Sequence, residues 1–194
     1  MGEYIPYGKH NISEKDIAAV VKALKSEFIT QGNLVPKFEN LVSKKVGSNF
    51  AIAVNSATSA LHIACLALGL KKGDILWTSS NTFVASANCA KFCGAEVDFV
   101  DINPRDGLIS ISALEKKLII AKKKNKLPKI IIPVHLCGTS CEMEEIFYLS
   151  KKYGFLIIED ASHAIGGKYN DEPIGCCKFS NIAIFSFHPV KIIT

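Results

Sequence analysis

The sequence predicts an α/β fold: a mostly parallel sheet with helices on both faces. Three observations carry this. From residue 50 onward, short apolar runs such as Ile130 to Val134 and Phe155 to Ile158 alternate with longer stretches of helical period, as βαβ units do. Several of these runs end on polar residues, Asp101, Glu159-Asp160 and Ser186 among them, at the sheet edge where open α/β folds bind ligands. At 194 residues the chain fits one ordinary domain with a substantial core, and it shows no internal repeat, linker or break in composition.

The elements follow in order. Ser13-Glu14-Lys15-Asp16 has the form of a capping box, and Ile17, Val20, Val21 and Leu24 form a helical stripe behind it. A polar, Gly-containing loop covers Phe28 to Asn33. Pro36 suits the first turn of a second helix, with Phe38, Leu41, Val42 and Val46 inward and Gly47 as its stop. Phe50 to Val54 reads as a short buried strand. Asn55 and Ser56 cap a helix with Ala57, Ala60, Leu61, Ala64, Cys65 and Leu68 apolar, ended by Gly69. Ile75 to Trp77 is the next strand, Phe83 to Cys93 a helix closed by Gly94, and Val97 to Val100 a third strand. Ser112 to Glu115 opens a helix with a second capping box. Ile130 to Val134 is a strand, a helix follows near Met143 to Tyr153, and Phe155 to Ile158 is a strand ending on Glu159 and Asp160. After the Gly166-Gly167 turn comes the last strand, Ile182 to Phe185.

Composition excludes several classes. The hydrophobic content of 48% is that of a globular protein, and no apolar run reaches the length of a membrane span. The amino terminus lacks the basic and apolar blocks of a signal peptide, so a cytoplasmic protein is expected. The net charge of +5 comes from lysine, with Arg105 the only arginine. The densest basic run, Lys122 to Lys126, has no interleaved aromatics, reads as a solvated helix end, and gives no support for nucleic-acid binding. A mild positive field better suits an anionic small molecule. Seven cysteines, with no CxxC pair and no His-rich partner segment, give no metal site; they read as reduced, buried small residues.

The chemistry gathers in the last forty residues. Two strands deliver Asp160, Ser162 and His163, then Ser186, His188 and Lys191, just past their carboxyl ends. Singly, each has an ordinary reading: Asp160 a turn residue, His163 a structural imidazole, Lys191 a surface lysine. Together, a carboxylate and a lysine match a pyridoxal phosphate site, where an acid keeps the pyridine nitrogen protonated. Asn55 to Ser59 lies at a strand-to-helix junction, and its free N–H groups with the hydroxyls of Thr58 and Ser59 suit a phosphate; plain helix capping accounts for the same residues. No GxGxxG and no GxxxxGK[ST] occurs.

Five segments, Asn55 to Leu61, Thr82 to Asn88, Pro133 to Leu136, Glu159 to Ala164 and Phe185 to Lys191, together resemble the DegT/DnrJ/EryC1/StrS family, in order and at matching spacing over nearly the whole chain. These are pyridoxal-phosphate sugar aminotransferases of fold type I. The resemblance implies that residues 1–194 are the N-terminal part and most of the large cofactor-binding domain, cut after the catalytic lysine, with the small carboxyl-terminal domain absent. It implies Lys191 as the lysine that attaches the cofactor and moves the proton, Asp160 beside the pyridine nitrogen, and His163 beside the ring's phenolic oxygen. Phe83 would stack on the ring, and Thr58, Ser59 and Ser186 would hold the phosphate. Tyr7, Glu27, Phe28, Ile29, Thr30 and Ala57 would line the sugar-nucleotide pocket. The implied reaction aminates a UDP-linked 4-keto-6-deoxy-N-acetylhexosamine, with L-glutamate as amino donor, for surface-glycan or nonulosonic acid biosynthesis, in a homodimer. Three alternatives stay open: a dTDP-linked or 3-keto sugar, a sugar dehydratase of the same family (which would carry His in place of Lys191), and a non-catalytic fragment offering only an assembly surface.

Overall fold

A computed structural model describes Tyr4, Pro6 and residues 10–194; the expectation for Tyr7 falls outside these. Five strands, β1 (Ile75–Ser79), β2 (Glu96–Val100), β3 (Ile130–Ile132), β4 (Leu156–Asp160) and, last in the chain, β7 (Ile182–Ile184), form one parallel sheet in the order β2-β1-β3-β4-β7. The period-2 pleat divides their side chains between two cores. Trp77, Ile131 and Ile157 meet Leu114 and Leu118 of α5 (Ile111–Lys123) and Ile146 and Leu149 of α6 (Met143–Tyr153). Leu76, Ile130, Ile132 and Ile158 meet Leu61 and Cys65 of α3 (Ala57–Ala67) and Cys89 and Ala90 of α4 (Ala85–Phe92). The expected α/β sandwich is therefore present, with two helices on each face. Each fully buried Leu or Ile in it contributes about 2 kcal/mol.

The amino-terminal third is built differently. The helix α1 (Glu14–Leu24) forms with its capping box, since Ser13 and Asp16 exchange hydrogen bonds, but it buries no residue. Its stripe of Ile17, Val20, Val21 and Leu24 is 41–61% exposed. In α2 (Leu34–Val46) only Val46 is buried; Phe38 and Leu41 are exposed and Val42 is half-buried, which corrects the inward face expected for them. The expected strand Phe50 to Val54 has no partner strand among the described residues, and Phe50 and Ile52 are 85% and 82% exposed. Its small residues, Ala51 and Ala53, turn inward while the bulky ones turn out. The run is apolar at every position, which marks it for burial, yet its bulky side chains stand exposed.

Smaller corrections have local causes. Ser110, not Ser112, caps α5: its N–H bonds to Asp101 O at 3.0 Å after the bridge between Ile102 and Ile109, and its side chain accepts from Ala113 N. Glu115 reaches Lys152 of α6 instead of a cap. The helix expected from Phe83 starts at Ala85. A hairpin of β5 (Lys168–Tyr169) and β6 (Glu172–Pro173) turns on Asn170 and Asp171, both at positive φ of 47° and 64°. Of the seven free cysteines only Cys65, Cys89 and Cys141 are buried, and Cys137 is exposed. Burial pushes the Cys141 thiol up to about 12. Among the described residues no helix is long and apolar enough to cross a membrane.

Candidate functional site

The carboxyl end of β4 organises the site. Asp160 is buried there, held by two backbone bonds to the segment after β3, from its own N–H to Pro133 O (2.9 Å) and from His135 N to its carbonyl (3.0 Å). Its side chain points to the α3/α4 face. Ser86, one residue into α4, donates its hydroxyl to Oδ2 at 2.6 Å, and Thr82 Oγ1 lies 2.9 Å behind Ser86 Oγ. Because the carboxylate only accepts, the proton order runs from Thr82 to Ser86 to Asp160. Ser162 donates to Oδ1 from its hydroxyl at 2.6 Å and its N–H at 3.2 Å. Among the described residues no ion-pair partner reaches Asp160. It is a buried carboxylate surrounded by neutral donors.

Lys191 and His163 come together beside it. Lys191 Nζ lies 2.7 Å from His163 Nε2, and His163 Nδ1 accepts from Cys137 N at 3.3 Å. Burial depresses the His163 pKa, the Lys191 charge adds to the depression, and Asp160 opposes it. The segment carrying Lys191 is fixed by its own turn: Lys191 N bonds to His188 O at 2.8 Å, and His188 N to the buried Ser186 Oγ at 3.4 Å. A small satellite core of Ala161, Ala164, Ile174 and Phe185 ties this segment to the loop after β4. Gly175, at φ +95°, lies against the Phe185 ring: a Cβ there would sit 2.5 Å from Cζ. Phe38 of α2 meets Phe187 edge-on, with ring centroids 5.0 Å apart.

At the start of α3, Ser56 accepts from Ser59 N at 3.2 Å, and the two hydroxyls are 3.1 Å apart. The capping reading is thus realised, and the N–H groups of Ala57 and Thr58 remain outside the helical bonding as at any helix start. Thr58 is exposed at this end and Ala57 half-buried. Other expected residues do not converge as closely. Phe83 is 71% exposed, just before α4. Glu27, Phe28, Ile29 and Thr30 are exposed in the turn after α1, where Ser26 Oγ bonds to Phe28 O at 3.2 Å; none of the four bonds to the Asp160 cluster among the described residues.

Sequence reasoning passed over Ser86 and Thr82. Their signal was available as two hydroxyls four residues apart at a helix start. It also passed over the opposite face of β4. There Glu159 Oε2 accepts from His135 Nε2 at 2.8 Å, Ser180 donates to Oε1, and Cys141 N donates to His135 Nδ1 at 3.0 Å. With Nδ1 accepting, the imidazole proton sits on Nε2, so His135 is neutral and points its donor at Glu159.

The pattern of the DegT/DnrJ/EryC1/StrS aminotransferase family matches residues 10–194. The chain belongs to that family. It is 44% identical over 190 residues to the UDP-4-amino-4,6-dideoxy-N-acetyl-beta-L-altrosamine transaminase of Campylobacter jejuni subsp. jejuni serotype O:23/36 (strain 81-176), covering 98% of this chain and 49% of the relative. Helicobacter pylori PseC, an aminotransferase involved in the biosynthesis of pseudoaminic acid, superposes with a TM-score of 0.90 at 32% identity, covering 99% of this chain and 50% of PseC. The Streptococcus pneumoniae protein Spr1654, solved in a PLP form and a PMP form, gives a TM-score of 0.86 at 28% identity, over 98% of this chain and 50% of that one. This DegT-family chain spans about half the length of the curated relatives it matches.

Proposed function

We propose that this chain is the N-terminal part and most of the large, cofactor-holding domain of a cytoplasmic nucleotide-sugar aminotransferase that uses pyridoxal phosphate. One observation carries the reading: Lys191 Nζ and His163 Nε2 are 2.7 Å apart near a buried carboxylate, Asp160, that accepts from Ser86 and Ser162 and forms no ion pair among the described residues. The fit to the cofactor is chemical. A buried carboxylate without a cationic partner is costly, and a protonated ring nitrogen supplies the missing positive charge.

Pyridoxal phosphate, when bound, supplies an electron-accepting ring and a carbonyl through which an amino group is carried between substrates. The chain's own residues do the rest. Asp160 holds the proton at the ring nitrogen, and Ser86 and Ser162 orient its two oxygens. Lys191 would hold the cofactor and move a proton through Nζ. His163 would lie beside the ring oxygen. The α3 amino terminus, with Thr58 and Ser59, and Ser186 hold the phosphate. Phe83 covers the ring, and its exposed side chain is free to do so.

For the substrate we take a UDP-linked 4-keto-6-deoxy-N-acetylhexosamine, with L-glutamate as donor, bound by Tyr7, Glu27 to Thr30 and Ala57, in a homodimeric enzyme. Support comes from the 44% identity to a transaminase named for such a sugar and from a chain of net charge +5 that suits a diphosphate. The protein, supplied with pyridoxal phosphate and glutamate, is incubated with UDP- and dTDP-linked keto sugars while 2-oxoglutarate is followed. Turnover with the UDP-linked 4-keto sugar is expected. Preference for a dTDP or 3-keto sugar overturns the substrate, and no 2-oxoglutarate from any sugar overturns the reaction.

A further inference from the structure

We infer that Ser86, backed by Thr82, is a positioning residue that holds Oδ2 of Asp160, and that Oδ2 rather than Oδ1 is the oxygen that meets the protonated ring nitrogen. The inference rests on the cofactor reading above. An ionised carboxylate only accepts, and it has roughly four lone-pair sites, two on each oxygen. Ser162 fills both sites on Oδ1, with its hydroxyl at 2.6 Å and its N–H at 3.2 Å. Ser86 fills one site on Oδ2, at 2.6 Å. Among the described residues no other group donates to this carboxylate, so the open site is on Oδ2.

The two serines act differently. Ser162 stands two residues further along the same strand end, so its bonds move with Asp160. Ser86 lies 74 residues away, in the first turn of α4, and ties the carboxylate to a separate element. The main chain at Asp160 is already fixed by Pro133 O and His135 N, and Ala161 N–H reaches Ile184 O at 2.9 Å. What remains is rotation of the carboxylate, and Ser86 is the donor that restrains it from outside the loop. Ser86 is itself held: it is 0% exposed, and its N–H bonds to Phe83 O at 3.2 Å. Its one hydroxyl proton goes to Asp160, so its oxygen accepts from Thr82 at 2.9 Å, a shorter path for the Thr82 proton than Phe83 O at 3.3 Å. A hydroxyl that accepts one bond while donating another is fixed in direction and strengthened as a donor. Without Ser86 the carboxylate turns about its Cβ–Cγ bond, and Oδ2 leaves the line to the ring nitrogen.

The test uses the whole protein loaded with pyridoxal phosphate labelled at its ring nitrogen with the heavy isotope. The nitrogen NMR shift, followed against pH, reports where the ring loses its proton. In Ser86→Ala that titration is expected about one pH unit lower than in the parent, the tenfold scale of one hydrogen bond to a charged group. Thr82→Val shifts it the same way by less, and Thr82→Ser, which keeps the hydroxyl, restores the parent curve. A merely structural Ser86 would lower the denaturant midpoint and leave the titration in place. A titration unmoved or raised in folded Ser86→Ala overturns the inference, as does a crystal structure of the loaded protein with the ring nitrogen on Oδ1. Should Ser86→Ala fail to fold, an unmoved titration in Thr82→Val overturns it instead. Failure of the unsubstituted protein to bind pyridoxal phosphate overturns the cofactor reading and this inference with it; binding with an unmoved curve overturns this inference alone.

Discussion

Glu159 and Asp160 are adjacent in sequence, and the pleat of β4 sends them to opposite faces of the sheet. On the α5/α6 face, Glu159 is closed off: His135 and Ser180 donate to its two oxygens, and Cys141 N fixes the imidazole in turn. On the α3/α4 face, Asp160 also has donors on both oxygens, yet it lies beside Lys191 and His163, at the end of the sheet. The difference teaches how one strand end serves two purposes. A carboxylate enclosed by its neighbours braces the strand, and the next one along, at the sheet end with Lys191 and His163 close by, faces the place where a ligand would sit.

Substitutions on the two faces can break that contrast. The largest effect belongs to Lys191→Ala, which should abolish the visible absorbance of bound pyridoxal phosphate and the cofactor fixed by borohydride, with little change in the unfolding midpoint. Borohydride-fixed cofactor on another lysine would refute the assignment. Asp160→Asn keeps the shape and removes the charge. Loss of one partner of a secluded ion pair costs about 3 kcal/mol, so turnover should fall roughly a hundredfold. Near-normal turnover would make both faces structural.

Glu159→Gln should do the reverse. One of its two accepted hydrogen bonds becomes a donor meeting a donor, costing about 2 kcal/mol in denaturant unfolding, while turnover per folded molecule changes less than about tenfold. A loss of turnover matching that of Asp160→Asn would erase the distinction between the faces. The smallest effect is in pH. The folded pKa of His163 is depressed below the ordinary 6.5, so below that value the unfolded chain binds a proton that the folded chain refuses. Its contribution to stability is complete above 6.5 and is lost as pH falls from there through the folded value. Unfolding free energy measured across that window should decline less steeply in His163→Gln than in the parent. Parallel curves would remove His163 from the pH response.

What the sequence made legible follows from what is local. Apolar period and caps are near-neighbour properties, so α3, α6 and the five parallel strands were readable, and Asp160, His163 and Lys191 could be grouped from the ends of two strands. Period names the apolar face of an element but not what covers it, which is why Ile17, Leu41, Phe50 and Ile52 read as core and stand exposed. The donor to Asp160 is 74 residues distant, and no spacing rule connects Ser86 to it. The contact of Cys137 with His163 depends on a left-handed residue in a turn that no composition signal marks.

The bare Cα of Gly175 works as a mechanical stop. Phe185 stands directly before Ser186, and its ring rests where a Cβ at 175 would be, 2.5 Å from Cζ. How far the lysine-bearing segment sinks toward the sheet is gauged there by a clearance smaller than one methyl group. An added methyl would lift the ring, and Ser186 with it, shifting the reach of Lys191 without touching any reactive atom. Alignment of the site is in that sense machined into a loop that takes no part in its chemistry.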